Sequence, residues 1–182
     1  MGRVSQAQAQ ENRQRVVRAA AELFRERGPQ VGLVDLMKEA GLTHGGFYKQ
    51  FASKEALFEE AVTQAFEDAA AQAYRQPAAA GGLGDEEIAA YLSVEHRDAV
   101  ADGCPVAALA TDIARGHGGS AVQDQYSDGV AQLAQLLATD GDDGLSRMCT
   151  MVGALILARA TRDTELSQAI LTAARATLST SG

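Results

Sequence analysis

Eight consecutive residues near the start of the chain concentrate groups able to hold and read a nucleic acid. Thr43, His44, Tyr48, Lys49 and Gln50 supply hydroxyl, imidazole, phenol, ammonium and amide groups. An amide at Gln50 can donate to a phosphate or read an adenine edge. Gly45 and Gly46 are poor helix formers, but without side chains they let a helix backbone approach a groove wall closely. Lys54 follows at the start of a longer helix, where free backbone N–H groups already favour a phosphate. Each of these residues also has a plainer role. Phe47 and Phe51, spaced i and i+4, suit core packing better than base stacking. His44 by itself reads as a solvated surface residue. Lys49, with Arg13, Arg15 and Arg18, reads as a solvated helix face. Arg3 suits a disordered terminus better than an arm entering a minor groove.

A second chemical feature is Cys104, followed by Pro105. Proline suits the first position of a helix, which makes Cys104 the N-cap, where a helix dipole favours a thiolate. One reading is a sensor of electrophiles or oxidants; the other is a small buried residue before proline. His96 is the imaginable base for such a thiol, but no recognisable oxyanion site accompanies the pair. His44, His96 and His117 are the only histidines, and no HExxH, CxxC, P-loop or GxSxG is present. The inventory therefore argues against an enzyme and implies no cofactor and no metal. Two cysteines are too few for a disulfide scaffold and fit a cytoplasmic chain. No uncharged apolar run approaches the ~20 residues of a membrane span, and no secretory signal is visible.

These groups need elements to position them, and the pattern is helical throughout. Val16, Val17, Ala20, Leu23 and Phe24 follow the i, i+3, i+4, i+7 rule, and Gly28–Pro29 end that helix. A short helix over 33–40 stops at Gly41. A very short one opens at Thr43, a good N-cap, and ends near Phe51. Ser53 caps a long helix with the stripe Leu57, Phe58, Ala61, Val62, Ala65 and Phe66. A loop over 76–84 follows (Pro77, Gly81, Gly82, Gly84). One helix carrying Ile88, Tyr91, Leu92 and Ala99 is then expected from Asp85 until Asp102–Gly103 breaks it. Further helices run from Pro105 to about Arg115, through Val122–Leu137, over 145–160 and over 164–178. The expected class is all-α.

Three short helices in about 45 residues, with Gly41 at the turn between the second and third, form a helix-turn-helix candidate. At these residues the chain resembles the DNA-binding domain of TetR-family transcriptional repressors. The resemblance is carried by Ala19-Ala20-x-x-Leu23-Phe24-x-x-x-Gly28, by Asp35-Leu36-Met37-Lys38-Glu39-Ala40-Gly41-Leu42-Thr43, and above all by Gly45-Gly46-Phe47-Tyr48-x-x-Phe51-x-Ser53-Lys54-Glu55-x-Leu57. It implies an all-α homodimer that binds a double-stranded DNA operator through its third helix and is released by a small ligand. Tyr48 and Lys54 match the family's phosphate-contacting residues, and Thr43–Gly46 match the start of its recognition helix. Gly32 and Leu33 stand where a Ser or Thr is common, which removes one hydroxyl contact to phosphate. Residues 1–54 are then the DNA-binding domain and 55–182 the ligand-binding and dimerisation domain. The reading from a different class is a thiol- or small-molecule-sensing protein with no DNA role.

The second domain should hold a mostly apolar pocket for a small apolar or electrophilic effector. Phe66, Tyr91, Glu95, His96, Cys104, Tyr126 and Met151 are its candidate residues. Glu95 earns its place by falling on the Ile88/Tyr91/Leu92 face of a continuous helix; its plainer role is at the rim, head in water. The uncharged run 148–158 is apolar on every face and needs cover on two sides. With Leu166, Ile170 and Ala173 on the last helix, Cys149, Val152, Gly153 and Ile156 suggest a four-helix interface across a two-fold axis. Cys149 is expected to be inert packing there.

Charge first opposes this reading and then supports it. The net charge is -8 and the pI about 4.8, and an acidic surface repels a phosphate backbone. But residues 1–54 hold 9 Lys+Arg against 5 Asp+Glu, and residues 55–182 hold 7 against 19. A basic head can approach DNA while an acidic body is kept off it.

Overall fold

The computed structural model describes residues 6–75 and 83–179, with 73–75 described by backbone alone. Arg3, Pro77, Gly81 and Gly82 lie outside the described residues. Nine α-helices and one 3₁₀ helix are described, with no strand among the described residues. They are α1 (Gln6–Arg27), α2 (Leu33–Glu39), the 3₁₀ helix His44–Lys49, α3 (Lys54–Arg75), α4 (Asp85–Tyr91), α5 (Val94–Asp98), α6 (Pro105–Ala114), α7 (Gly119–Leu137), α8 (Leu145–Ala160) and α9 (Glu165–Ser179).

The apolar stripe of α1 packs chiefly on α3, with Phe24 edge-on to Phe58 at 5.1 Å between centroids. Such a pair adds about 0.5–1.5 kcal/mol beyond the area it buries. Gly41 ends α2 with φ +68°, a left-handed conformation that only glycine adopts readily. That turn lets the Leu42 N–H reach back to the Met37 carbonyl at 2.8 Å. The chain then swings into the 3₁₀ helix, so helix, tight turn and second helix are in place.

Two elements differ from the sequence reading. The segment after Thr43 is 3₁₀ rather than α: Gly46 N–H bonds the Thr43 carbonyl and Gln50 N–H the Phe47 carbonyl. Two successive glycines withdraw the propensity that would sustain an α-helix. The single helix expected from Asp85 is two. Ser93 interrupts it by capping α5, its Oγ accepting the His96 N–H at 3.0 Å.

Two apolar clusters result. One joins α1, α2, the 3₁₀ helix and α3 with Leu109, Ile113 and Val122 of α6 and α7. The other lies among α4, α7, α8 and α9 around Leu92, Met151 and Leu171, all 0% exposed. The first cluster runs on through residue 54, so α3, α6 and α7 carry the head directly. Of the α8 run, Met148, Met151, Ala154, Leu155 and Ala158 are buried within the chain. Cys149 is exposed in the single chain, on a side of α8 that faces away from both clusters.

Candidate nucleic-acid interface and ligand cavity

The head presents its polar residues outward. Thr43 occupies the N-cap of the 3₁₀ helix and makes no capping bond with its side chain. Thr43, His44, Gly45, Tyr48 and Lys49 are exposed, Tyr48 at 68%. His44 and Tyr48 stand edge to face at 6.5 Å, and Tyr48 rests edge-on against Phe47 at 5.1 Å. Phe47 and Phe51 stack at 5.5 Å and are buried; they are core, and they hold the 3₁₀ helix in place. A Cβ on Gly45 would meet nothing within 4 Å, and one on Gly46 only the Met37 methyl at 3.8 Å. The fold itself therefore does not demand these glycines.

Four polar residues of the head are less free. Gln50 is half-buried, and its Oε1 is covered without a hydrogen-bond partner. The Lys54 ammonium donates to the Pro29 carbonyl at 2.5 Å, which pins the end of α3 to the turn after α1. Ser53 caps α3 by accepting the Ala56 N–H at 3.1 Å. Arg13 is not a solvated surface charge: its guanidinium pairs with Glu60 and lies 4.7 Å over the Phe51 ring.

In the body, α3, α4, α7 and the segment before α6 enclose a cavity of about 370 Å³. Its wall is mostly apolar, with Phe66, Leu83, Val106, Leu133 and Leu136, and its polar members include Gln72, Glu87, Asp102 and Gln132. Of the predicted pocket residues, Phe66, Tyr91, His96 and Cys104 lie together on this wall. Glu95 is exposed and Met151 sits in the second core. Tyr126 stands behind Phe66 at 6.1 Å and donates to the Val106 carbonyl at 2.7 Å. Neither Glu95, Met151 nor Tyr126 is part of the described lining.

Cys104 is the N-cap of α6, with Pro105 in the first turn. The His96 ring holds the backbone there: its Nε2 accepts the Cys104 N–H at 3.2 Å, and its Nδ1 donates to the Tyr91 carbonyl at 2.6 Å. Both ring nitrogens are thus occupied, and His96 cannot act as a base toward the thiol. Burial pushes its pKa below the ordinary histidine value, because a charged ring would lose water. Burial also carries the Tyr91 phenol well above its ordinary range and Tyr126 up to about 12. Both remain neutral hydroxyls at physiological pH. The Tyr91 hydroxyl is buried, and Cys104 bears on it both by charge and as a side-chain hydrogen-bonding neighbour.

Arg25 is the residue that sequence reasoning missed. It is 6% exposed and its Nε donates to the Ala101 carbonyl. The signal was present: Arg25 stands four residues after the buried Ala21, on the inward arc of α1. Its charge hid it.

An all-helical chain whose helix-turn-helix head rests on a helical body has the architecture of a DNA-binding transcriptional regulator. Residues 16–61 match the family of bacterial regulatory proteins, tetR family. Over the whole chain the structure is similar to a TetR-family transcriptional regulator from Cytophaga hutchinsonii, at 18% identity, TM-score 0.72 and coverage of 98% of this chain and 97% of that one. A TetR transcriptional regulator from Chloroflexus aurantiacus is similar at 22% identity, TM-score 0.70, with 96% and 95% covered. The reduced form of Escherichia coli NemR is similar at 22% identity, TM-score 0.64, with 90% and 95% covered. No curated protein matches the chain. Residues 16–61 thus match that family's model, and the chain carries the fold of TetR-family transcriptional regulators.

Proposed function

We propose that the protein is a homodimeric repressor that binds a palindromic operator and is released when a small ligand fills the body cavity. The observation that carries this reading is the course of α6. It begins at Cys104–Pro105 in the cavity wall and runs to Ile113, which is packed in the same cluster as the head. A ligand that displaces its first turn therefore acts on the head without an intervening linker, and shifts the population between two head positions. Thr43–Gln50 enter the major groove, Gly45 and Gly46 allow close approach, and Tyr48 and Lys54 hold phosphates. The dimer is supported by an apolar surface on α8 and α9 that the chain leaves open. Leu157 and Leu166 are each 57% exposed, beside Cys149, Val152, Gly153, Ile156, Ile170 and Ala173.

Selection from a random-sequence duplex pool tests the reading. The expected product is a palindrome whose half-sites lie roughly 34–36 Å apart or a multiple of that, bound less tightly as salt rises. Failure to enrich any sequence would reject it and leave the sensor without a DNA role. Cys104 in the cavity wall favours an electrophilic effector among the apolar ones. Cys104→Ser should then abolish release by electrophiles, and unchanged release would remove that choice.

A further inference from the structure

We infer that Arg25 is the positioning residue through which the cavity wall and the DNA-binding head sense one another; this rests on the release reading above. The segment 99–104 joins α5 to α6, and its Asp102, Gly103 and Cys104 line the cavity. The segment is braced from the body on two sides. His96 accepts the Cys104 N–H. Arg159 donates to the carbonyls of Arg97 and His96 and crosses so close to Gly103 that a Cβ there would lie 2.7 Å from its Nη2 and 2.7 Å from the Ala99 carbonyl oxygen. From the head comes one polar brace, Arg25 of α1, donating to Ala101.

Arg25 is an unusual choice for a merely structural link. Its guanidinium is largely removed from water, and burial holds its pKa below the ordinary arginine value. Asp68 of α3, Asp102 of the cavity wall and Glu22 of α1 face it with negative charge, and Cys104 is also among the groups that bear on it. Head, wall and α3 therefore meet at one cation. The other end of α6 touches α1 too: Asp112 lies 3.2 Å from where a Cβ on Gly28 would sit. The last turns of α1 are held at both ends of α6, by a directional charged hydrogen bond at the cavity end and by contact at the other. Apolar packing tolerates sliding, whereas a charged hydrogen bond loses strength steeply when its angle changes. Movement of residues 101–104 by a ligand is thus transmitted to α1 at Arg25.

Coupling between two sites is reciprocal, so the test needs no identified effector. The probe is N-ethylmaleimide reacting with Cys104, followed by mass spectrometry. Mass spectrometry reads the Cys104 peptide separately from that of Cys149, so the natural cysteines are both kept. The DNA is the duplex recovered from the random pool. With Arg25 present, DNA should slow alkylation of Cys104 by about fivefold or more, within the usual range of allosteric coupling. With Arg25→Met the two rates should agree within about twofold while the duplex is still bound, and Arg25→Lys should restore part of the effect. Arg25→Gln serves if the methionine variant does not fold, and is read in the same way. An equal DNA effect in the Arg25 variants would overturn the role of Arg25 and leave ligand release standing. No DNA effect on Cys104 with Arg25 present would overturn both.

Discussion

Replacing Gly129 by alanine should empty the cavity of ligand without unfolding the protein. Gly129 is buried in the middle of α7. A Cβ at that position would lie 2.1, 2.5 and 2.5 Å from three atoms of the Phe66 ring. One of the two groups must move, and the ring is the mobile one, because it borders the open cavity. Swinging it off its present rotamer costs about 0.5–1.5 kcal/mol, and losing its edge contact with Tyr126 costs about the same. Alanine returns about 1 kcal/mol of helix propensity relative to glycine. The balance is a loss of roughly 0–2 kcal/mol, or a Tm lower by at most about 8 °C for a chain of this length. The ring then occupies a sizeable share of the 370 Å³. Calorimetry gives the first quantity, and Nile red fluorescence titration gives the second. Affinity for the dye should fall about tenfold or more, which is about 1.4 kcal/mol. A Tm lowered by much more than about 8 °C would mean that the ring has nowhere to go and that the space beside it is not open. Unchanged dye affinity at a nearly normal Tm would show that Phe66 does not border the ligand space.

Three further perturbations test other parts of the structure. Lys54→Ala should lower the slope of log affinity against log salt by about 1 for every DNA sequence; an unchanged slope on the selected duplex would remove Lys54 from the phosphate contacts. Burial lowers the pKa of His96, which faces Tyr91, Cys104 and Arg159. As pH falls through the ordinary histidine value, the unfolded chain takes up a proton that the folded chain refuses, so stability is lost below that value. His96→Gln should therefore show a shallower fall in Tm between pH 7 and pH 5 than the natural chain, and equal slopes would show that His96 charges freely in the fold. Ser167 is 0% exposed, donates to the Ala158 carbonyl at 2.8 Å and accepts from Arg97 Nη1 at 2.8 Å. Ser167→Ala should lower stability by about 1–3 kcal/mol in urea denaturation, because the Arg97 donor is left covered; a loss below about 0.5 kcal/mol would mean that water replaces the hydroxyl.

The helices were legible where their ends carry chemistry. Ser53 and Pro105 marked two starts, and Gly28 and Gly41 marked two ends, each through a local rule that needs no tertiary context. The break between α4 and α5 was missed because the apolar stripe Ile88, Tyr91, Leu92 runs up to it without a glycine or proline. One consequence follows directly. Counting helical turns from Ile88 places Glu95 at the pocket, but the break at Leu92–Ser93 restarts the count and turns Glu95 outward. Phe66, Tyr91, His96 and Cys104 gather on one wall from α3, α4, α5 and the N-cap of α6. No spacing rule brings such distant elements together; only packing does. Met151 lies in the core instead, since an apolar residue on a helix that is apolar nearly all round can face either core or cavity. Arg25 shows the limit of reading charge as exposure: periodicity placed it inward, and the carboxylates that make its burial tolerable come from α3 and from the loop before α6.

The same pairing changes what the charge division means for DNA. Formally the first 54 residues hold an excess of cations. Arg13 is engaged by Glu60 and Arg27 by Glu26, Arg25 is buried, and Lys54 is held on the Pro29 carbonyl. Arg15, Arg18, Lys38 and Lys49 remain exposed. The field a phosphate meets at the head is therefore weaker than the sequence count implies, while the body behind it is strongly acidic. Non-specific attraction scales with the phosphates neutralised, so it is small for this head. On the operator reading proposed above, affinity then comes from close fit at Thr43–Gln50, where two glycines that the fold does not require leave room for the partner.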